Sequence, residues 1–236
     1  MCIACSSFVA NRRRFLSLAA AGVAAASVLG ARSAFAAGAT TSVTPDEALA
    51  RLKAGNEKYV SAPQVCAVDL LKHREDVAKG QTPWAAILSC ADSRVPPELL
   101  FGGLGVGELF IARNAGNMAD TATMGTIEYG VEHLGVPLVV VMGHERCGAV
   151  AAACEVVQKH TKFPGSIGPM VDAIVPAAKA VYGKPGDFVD NTARESAKRT
   201  TAKIATEIVS HFIKDNKVKV LAARYDLDDG RVEFLT

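Results

Sequence analysis

LVVVMGHERCG, at residues 138–148, joins a continuous apolar run directly to a histidine and a cysteine. An apolar run without alternation is typical of a β-strand buried on both faces, as in a parallel sheet covered by helices. His144 and Cys147 then follow the predicted strand, at the edge where open parallel sheets place their functional sites. This stretch therefore predicts both an α/β fold and a polar site at one edge of the sheet.

The same pattern recurs along the chain, with short apolar runs separated by helical stretches. We expect strands at Trp84–Ser89, Leu109–Ala112, Leu138–Met142 and Val218–Arg224. We expect helices at Thr123–Leu134, Gly148–His160 and Asn191–Asn216. This alternation predicts an α/β single domain with a mainly parallel central sheet flanked by helices. A turn sequence at Tyr225–Gly230 leads into Val232–Leu235, which predicts an antiparallel C-terminal edge strand.

Two further helices are predicted ahead of the sheet. TPDE at residues 44–47 is a strong helix start, because it offers a hydroxyl cap, a proline at the first helical position and two acids near the positive end of the helix dipole. A second helix is expected over Val68–Ala78. We therefore expect a helical N-terminal segment before the first strand.

The first 36 residues have the pattern of a cleaved export signal. RRRFL at residues 12–16 precedes an apolar run over Leu16–Leu29, and SAFA at residues 33–36 offers small residues for cleavage after Ala36. The paired arginines resemble a twin-arginine signal, which is read by an exporter of folded proteins. A membrane anchor is the alternative, although the run is shorter than the ~20 residues of a spanning helix. We expect a mature chain of residues 37–236 that is periplasmic or otherwise exported.

Charge and apolar surface limit the partners of the mature chain. Residues 1–36 carry four arginines and no acid, so the remainder has 22 basic and 24 acidic residues. No basic stripe remains for nucleic acid, and no second apolar stretch suggests a membrane partner. The predicted helices carry more nonpolar surface than one domain of this size would bury. We therefore expect a homodimer or a higher homo-oligomer.

Four of the six cysteines follow the predicted signal: Cys66, Cys90, Cys147 and Cys154. In an oxidising compartment they could form two disulfides. However, a domain of this size does not need such cross-links, and a metal bound before folded export would protect thiolates from oxidation. Cys66 and Cys154 belong to no motif. They are interpreted as a buried small residue and a loop residue, with a disulfide between them as the alternative.

Two polar motifs follow two predicted strands and point to one metal site. Cys90, Asp92 and Arg94 follow the strand at Trp84–Ser89, while His144 and Cys147 follow the strand of residues 138–142. Two thiolates and an imidazole suit tetrahedral zinc, and the missing fourth protein ligand leaves a position for water, as in catalytic sites. Asp92 could accept a hydrogen bond from the nucleophile while Arg94 keeps it ionised. An ordinary Asp–Arg pair that caps the next helix is the alternative.

At these residues the chain resembles the β-class carbonic anhydrases. The similar stretches are ALARLKAGN at 48–56, CADSRVPPE at 90–98, GELFIARNAGN at 107–117 and HERCG at 144–148. The resemblance implies one zinc ion per chain on Cys90, His144 and Cys147, and a catalytic dyad of Asp92 and Arg94. It also implies an N-terminal helical arm at residues 37–80 and a zinc-binding α/β core at 81–236.

The resemblance also implies a branch of that family. One branch lines its substrate pocket with a glutamine, a phenylalanine and a tyrosine, partly across a dimer interface, and Gln81, Phe110 and Tyr129 stand at the matching positions. The other branch has a tryptophan three residues before the first zinc cysteine, as part of a regulatory bicarbonate site. Ile87 occupies that position here, and Trp84 lies too early. We therefore expect an open zinc site without that regulatory site.

The implied reaction is the reversible hydration of carbon dioxide to bicarbonate and a proton. Zinc lowers the pKa of water toward ~7 and so provides a hydroxide nucleophile. We expect carbon dioxide to lie near Phe110, with Gln81 and the Gly148 amide steering its oxygens. Two alternatives remain: hydrolysis of a sulfur analogue such as carbonyl sulfide at the same site, or a non-catalytic zinc- or bicarbonate-binding module.

Overall fold

The five strands of the described residues form one mainly parallel sheet. The computed structural model describes residues 40–62, 70–207 and 209–235, so the predicted signal and Cys66 lie outside it. The strands are β1 at Ala85–Cys90, β2 at Leu109–Asn114, β3 at Leu138–His144, β4 at Lys219–Tyr225 and β5 at Val232–Leu235. Their order is β2-β1-β3-β4-β5, and all pairings are parallel except the antiparallel pairing of β4 with β5. The predicted fold class is confirmed.

Helices precede, connect and cover the strands. They are α1 at Pro45–Ser61, α2 at Leu70–Val77, α3 at Pro97–Leu100, α4 at Thr121–Glu132, α5 at Gly148–Lys159, α6 at Ile167–Asp172, α7 at Val175–Val181, α8 at Phe188–Glu207 and α9 at Ser210–Lys214. The start of α1 is the predicted one: the Glu47 amide donates to the Thr44 hydroxyl, and the Glu47 carboxylate accepts from the Thr44 amide. None of the helices in the described part of the chain is long and apolar enough to cross a bilayer.

The two central strands explain why their sequences are continuously apolar. Every residue of β1 and β3 is buried, because helices cover both faces of the sheet. Alternate residues face opposite sides, so that Leu88 and Val141 pack with α4 and α8, whereas Ile87 and Val140 pack with α1 and α3. A third apolar cluster, formed with α5, α6 and α7, includes Cys90 at the carboxyl end of β1 and Cys147 at the start of α5.

The structure differs from the predicted helices at one break. The predicted helix over Asn191–Asn216 is two helices, because α8 ends at Glu207 and α9 begins at Ser210. Val209 lies between them, is fully buried, and donates its amide to the carbonyl of Ile204 five residues earlier. Val209 belongs to the apolar cluster that contains residues of α4, and its amide makes an i→i−5 bond in place of the i→i−4 bond of a regular helix.

Asn56 fastens α1 to the rest of the domain. Its side chain is buried, donates to the carbonyls of Leu100 and Gly230 at 3.1 and 2.9 Å, and accepts from the amide of Val232 at 2.8 Å. These contacts join α1 both to the end of α3 and to the β4–β5 hairpin.

Replacement of Asn56 by alanine is expected to lower the free energy of unfolding by about 2–4 kcal/mol, because it leaves three backbone groups, one buried and two part-buried, without their partner. Urea unfolding measures the change. Glu57→Ala, at the exposed neighbouring position, is the matched control and should change stability by less than about 0.5 kcal/mol. Equal stabilities of the two variants would contradict this role of Asn56.

Candidate metal centre

Three buried side chains converge at the carboxyl edge of the sheet. Cys90 is the last residue of β1, His144 is the last residue of β3, and Cys147 caps the start of α5. Their ligand atoms all lie within 4.8 Å of one another. The two predicted motifs therefore meet, as expected for two parallel strands that end at the same edge of a sheet.

The histidine is held with one ring nitrogen available. His144 is fully buried, and its Nδ1 lies 2.8 Å from the carbonyl oxygen of Glu145. Because a carbonyl only accepts, Nδ1 carries the proton and Nε2 presents its lone pair. Nε2 has no hydrogen-bond partner among the described residues, although it is buried. A buried acceptor beside two thiols is what a metal ligand requires.

The thiols of Cys90 and Cys147 are close enough for one to donate a hydrogen bond to the other. The sulfur atoms of Cys90 and Cys147 are 3.9 Å apart. Their hydrogen bond lowers the pKa of Cys90 to about 4, helped by the amide of Gly116, which donates to the Cys90 sulfur at 3.4 Å. The same bond, together with burial, raises the pKa of Cys147. A divalent cation between them would hold both as thiolates, so the donor set fits zinc.

Asp92 and Arg94 form a bidentate pair beside the three donors. The Arg94 Nε and Nη2 atoms donate to the two carboxylate oxygens of Asp92 at 2.9 and 2.7 Å, and the Arg94 amide donates to the same group. These bonds hold the pKa of Asp92 well below its usual range. One oxygen of Asp92 lies 3.9 Å from Nε2 of His144. An ionised carboxylate therefore faces the donor cluster without belonging to it.

Comparison with known proteins assigns the chain to a family. The sequence model of the family described as carbonic anhydrase matches residues 85–232. Carbonic anhydrase 2 of Mycobacterium tuberculosis is 35% identical over 189 residues, covering 79% of this chain and 91% of that protein. The chain belongs to the β-class carbonic anhydrase family. The carbonic anhydrase of Mycolicibacterium smegmatis is 32% identical, over 80% of this chain and 93% of its own length.

Solved structures of this family share the fold. The β-carbonic anhydrase CafA of Aspergillus fumigatus has a TM-score of 0.63 and 26% identity, covering 80% of this chain and 89% of that one. A β-carbonic anhydrase of Coccomyxa, in complex with acetazolamide, has a TM-score of 0.61 at 24% identity, over 83% and 87% of the two chains. The predicted family and enzyme class are thus confirmed.

Of the predicted substrate-binding residues, Gly148 lies at the donor cluster. It is the first residue of α5, directly after Cys147, and the space around its α-carbon is open. Gln81 is half-buried and precedes β1.

Phe110 and Tyr129 lie together but away from the donors of their own chain. Their ring centroids are 6.2 Å apart. Asn114 of β2 lies beside Cys90, and Phe110 stands four residues earlier in the same strand. Phe110 is therefore about 13 Å along β2 from the residue that neighbours Cys90. The structure therefore brings these two aromatic residues to one another, on the side of β2 that packs against α4.

The end of β2 holds the loop that follows β1 and carries Cys90 and Asp92, a role that the sequence did not reveal. Arg113 donates to the carbonyls of Cys90 and Asp92 at 2.9 and 2.7 Å, and the Asn114 carbonyl accepts from the amide of Ala91. Both residues belong to the family-like stretch 107–117, which was the only signal in the sequence. β2 thus fixes the loop that carries Cys90 and Asp92.

Cys154, the other cysteine of the described residues, is not part of the cluster. Cys154 is a buried free thiol on α5, and its sulfur lies 3.3 Å from the hydroxyl of Thr192. Burial raises its pKa, so it is a poor nucleophile. Cys66, its predicted alternative disulfide partner, lies outside the described residues.

Gly116→Ala is expected to lower the free energy of unfolding by about 2–4 kcal/mol. Gly116 has a φ of +83°, and an added β-carbon would lie 2.6 Å from Cδ1 of the buried Ile174 and 3.3 Å from the β-carbon of Ala149. Gly183→Ala is the matched control, because its φ is +78° but nothing lies within 4 Å. Backbone strain alone should cost the control about 1 kcal/mol. Equal losses in the two variants, by urea unfolding, would contradict close packing around Gly116.

Proposed function

We propose that this chain is a zinc enzyme that catalyses the reversible hydration of carbon dioxide to bicarbonate and a proton. One observation carries the proposal: the donor atoms of Cys90, His144 and Cys147 lie within 4.8 Å of one another, with Nε2 of His144 buried and without a hydrogen-bond partner among the described residues. Bound zinc would supply a Lewis acid that makes a hydroxide nucleophile available near neutral pH. Membership of the β-class carbonic anhydrase family supports the same reaction.

The residues of the chain then orient the nucleophile. Cys90, His144 and Cys147 would hold the ion, and three protein ligands would leave a position for water. The ionised Asp92 would accept a hydrogen bond from the hydroxide nucleophile and so orient a lone pair of its oxygen toward the carbon of the substrate. Arg94 donates to both carboxylate oxygens of Asp92, so Asp92 would not be free to act as a metal ligand. The pairing supports an open site, in which Asp92 is not a fourth ligand.

A second copy of the chain completes the substrate pocket in this proposal. Four of the six residues of β2, an edge strand, are apolar and only half-buried: Leu109, Phe110, Ile111 and Ala112. Exposed apolar edge strands are normally covered in native proteins. A homodimer, or a higher homo-oligomer, would cover β2 and allow Gln81, Phe110 and Tyr129 to face the site of the partner. Sedimentation analysis at micromolar concentration should give at least a dimer, and a monomer would contradict this assembly.

We also propose export through a twin-arginine signal at residues 1–36, on the basis of RRRFL at 12–16 and SAFA at 33–36. The exported protein should begin at Ala37, as read by N-terminal sequencing. Lysine in place of both Arg12 and Arg13 should abolish export. An exported chain that keeps its first 36 residues would contradict the cleavage.

Zinc analysis and stopped-flow kinetics on the same preparation test the proposed reaction. We expect one zinc ion per chain. Hydration of carbon dioxide should increase toward alkaline pH, because a metal held by two thiolates would lower the pKa of water less than one held by three imidazoles. Carbonyl sulfide is assayed in parallel. Hydrolysis of carbonyl sulfide without hydration would favour the sulfur substrate. One bound zinc ion with neither activity would favour the zinc- or bicarbonate-binding module.

A further inference from the structure

Arg146 has a backbone conformation that non-glycine residues rarely adopt. It lies between the donors His144 and Cys147, and its φ is +50°, in the left-handed region. A β-carbon disfavours this conformation, so the loop does not hold it by local preference. Contacts with the surrounding structure must therefore hold the conformation of residues 144–147, the donor loop, which carries two of the three donors.

A bidentate ion pair holds the Arg146 side chain. Its Nη1 and Nη2 atoms donate to the two carboxylate oxygens of Asp228 at 2.9 and 2.7 Å. Asp228 lies in the turn between β4 and β5, 82 residues along the chain. The paired geometry fixes the direction of the guanidinium as well as its distance. The turn and the donor loop are thereby joined side chain to side chain.

Backbone contacts dock the same two segments against each other. The amide of Glu145 donates to the carbonyl of Tyr225 at 2.9 Å, and the amide of Leu227 donates to the Glu145 carboxylate at 3.2 Å. The turn itself is internally braced, because the carboxylate of Asp226 accepts from Arg224 at 2.5 Å and from the amides of the two residues after Leu227. The donor loop thus packs against a turn that has its own hydrogen bonds.

We propose that Arg146 is a positioning residue for the metal, acting by clamping the donor loop to the β4–β5 turn through Asp228. The inference rests on the proposed zinc site and adds to it an ion pair whose two residues are not metal ligands. With the clamp closed, His144 and Cys147 are held at the separation that the ion requires before it binds. Without the clamp, binding must order the loop, and metal affinity falls.

Exposed ion pairs often contribute little to the stability of a protein. A second ion pair in the same hairpin therefore serves as a control for the loss of a charge alone. Arg231 pairs with Asp229 at 3.5 Å, and among the described residues neither side chain makes a hydrogen bond or an ion pair with the donor loop. Arg231→Ala removes one positive charge, as Arg146→Ala does, but takes it from the β4–β5 hairpin and not from the donor loop. It should leave metal affinity unchanged.

The test is metal affinity of the full chain, measured by competition with a chelator using Zn²⁺ and, for its visible spectrum, Co²⁺. Arg146→Ala and Asp228→Ala should each weaken binding about 10-fold, and the double variant should be no weaker than Arg146→Ala. Arg146→Gly separates backbone from side chain, because glycine adopts a φ of +50° without strain. It should also weaken binding about 10-fold and change the Co²⁺ spectrum.

The outcomes separate this inference from the proposed function. If the unmodified chain does not bind one metal ion, the proposed zinc site is wrong. If it binds one and Arg146→Gly binds equally tightly, the backbone alone sets the loop, and the clamp is wrong. The clamp is likewise overturned if the variants lower only the unfolding temperature of the metal-free chain and leave metal affinity unchanged.

Discussion

Replacement of Cys147 by serine is expected to abolish zinc binding and to reduce carbon dioxide hydration to the uncatalysed rate. The thiolate is one of three protein donors, and serine is a weak, hard ligand that stays protonated at neutral pH. Loss of a residue that hydrogen-bonds to a metal ligand already lowers metal affinity or activity by about 10–100-fold. Loss of the ligand itself should therefore lower activity by more than about 10³-fold. Zinc content measured on the purified variant, beside its hydration rate, checks both parts of the expectation.

Cys154→Ala is the matched control for this variant. Cys154 is also a buried free thiol, and it lies on α5, the helix that Cys147 caps. It should keep one zinc ion per chain and nearly all activity, because it contacts Thr192 rather than the donors. Retention of zinc by Cys147→Ser, or its loss from Cys154→Ala, would show that the ligands are not the proposed ones.

Replacement of Asp92 by alanine is expected to separate catalysis from metal binding. Asp92 lies beside the donor cluster, with one carboxylate oxygen 3.9 Å from Nε2 of His144, but is held by Arg94. Without Asp92 the nucleophile loses its oriented hydrogen bond, so hydration should fall by about 10²–10⁴-fold. Zinc content should remain one per chain. Equal loss of zinc and activity would instead make Asp92 a ligand, and the site would not be open.

Arg94→Gln tests the electrostatic part of the same account. The hydrogen bonds from Arg94 are the largest cause of the lowered pKa of Asp92. In the unmodified chain the carboxylate therefore stays ionised to a pH well below the ordinary value of ~3.9. In the variant the pKa of Asp92 should rise to that value or above it, so the group takes up its proton at higher pH. Carbon-13 NMR of the carboxyl groups measures both titrations, and an unchanged pKa would contradict the role of Arg94.

The sheet and the donor set were predictable because both depend on local patterns. Continuous apolar runs such as 138–142 identify strands buried on both faces, and parallel strands end at one edge. Cys90, His144 and Cys147 follow or end those runs, so their convergence is a consequence of topology. The start of α1 was equally local, since its cap and its partner are three residues apart.

Other features depend on contacts between distant residues, which no local pattern encodes. α6 and α7 are six and seven residues long, too short to show a helical period in the sequence. Arg113 acts through backbone carbonyls, so any side chain could stand at its partners. The pairing of Arg146 with Asp228 spans 82 residues, and the left-handed conformation at Arg146 gives no sequence signal because the residue is not glycine.

X-ray absorption at the zinc edge, on the purified full chain, tests the central claim most directly. The account predicts two sulfur ligands at about 2.3 Å, one nitrogen at about 2.0–2.1 Å and one oxygen in the remaining position. Cys147→Ser should lose the signal, and Asp92→Ala should leave it unchanged. A zinc ion with no sulfur ligands, or a ligand set that changes in Asp92→Ala, would contradict the open site at Cys90, His144 and Cys147.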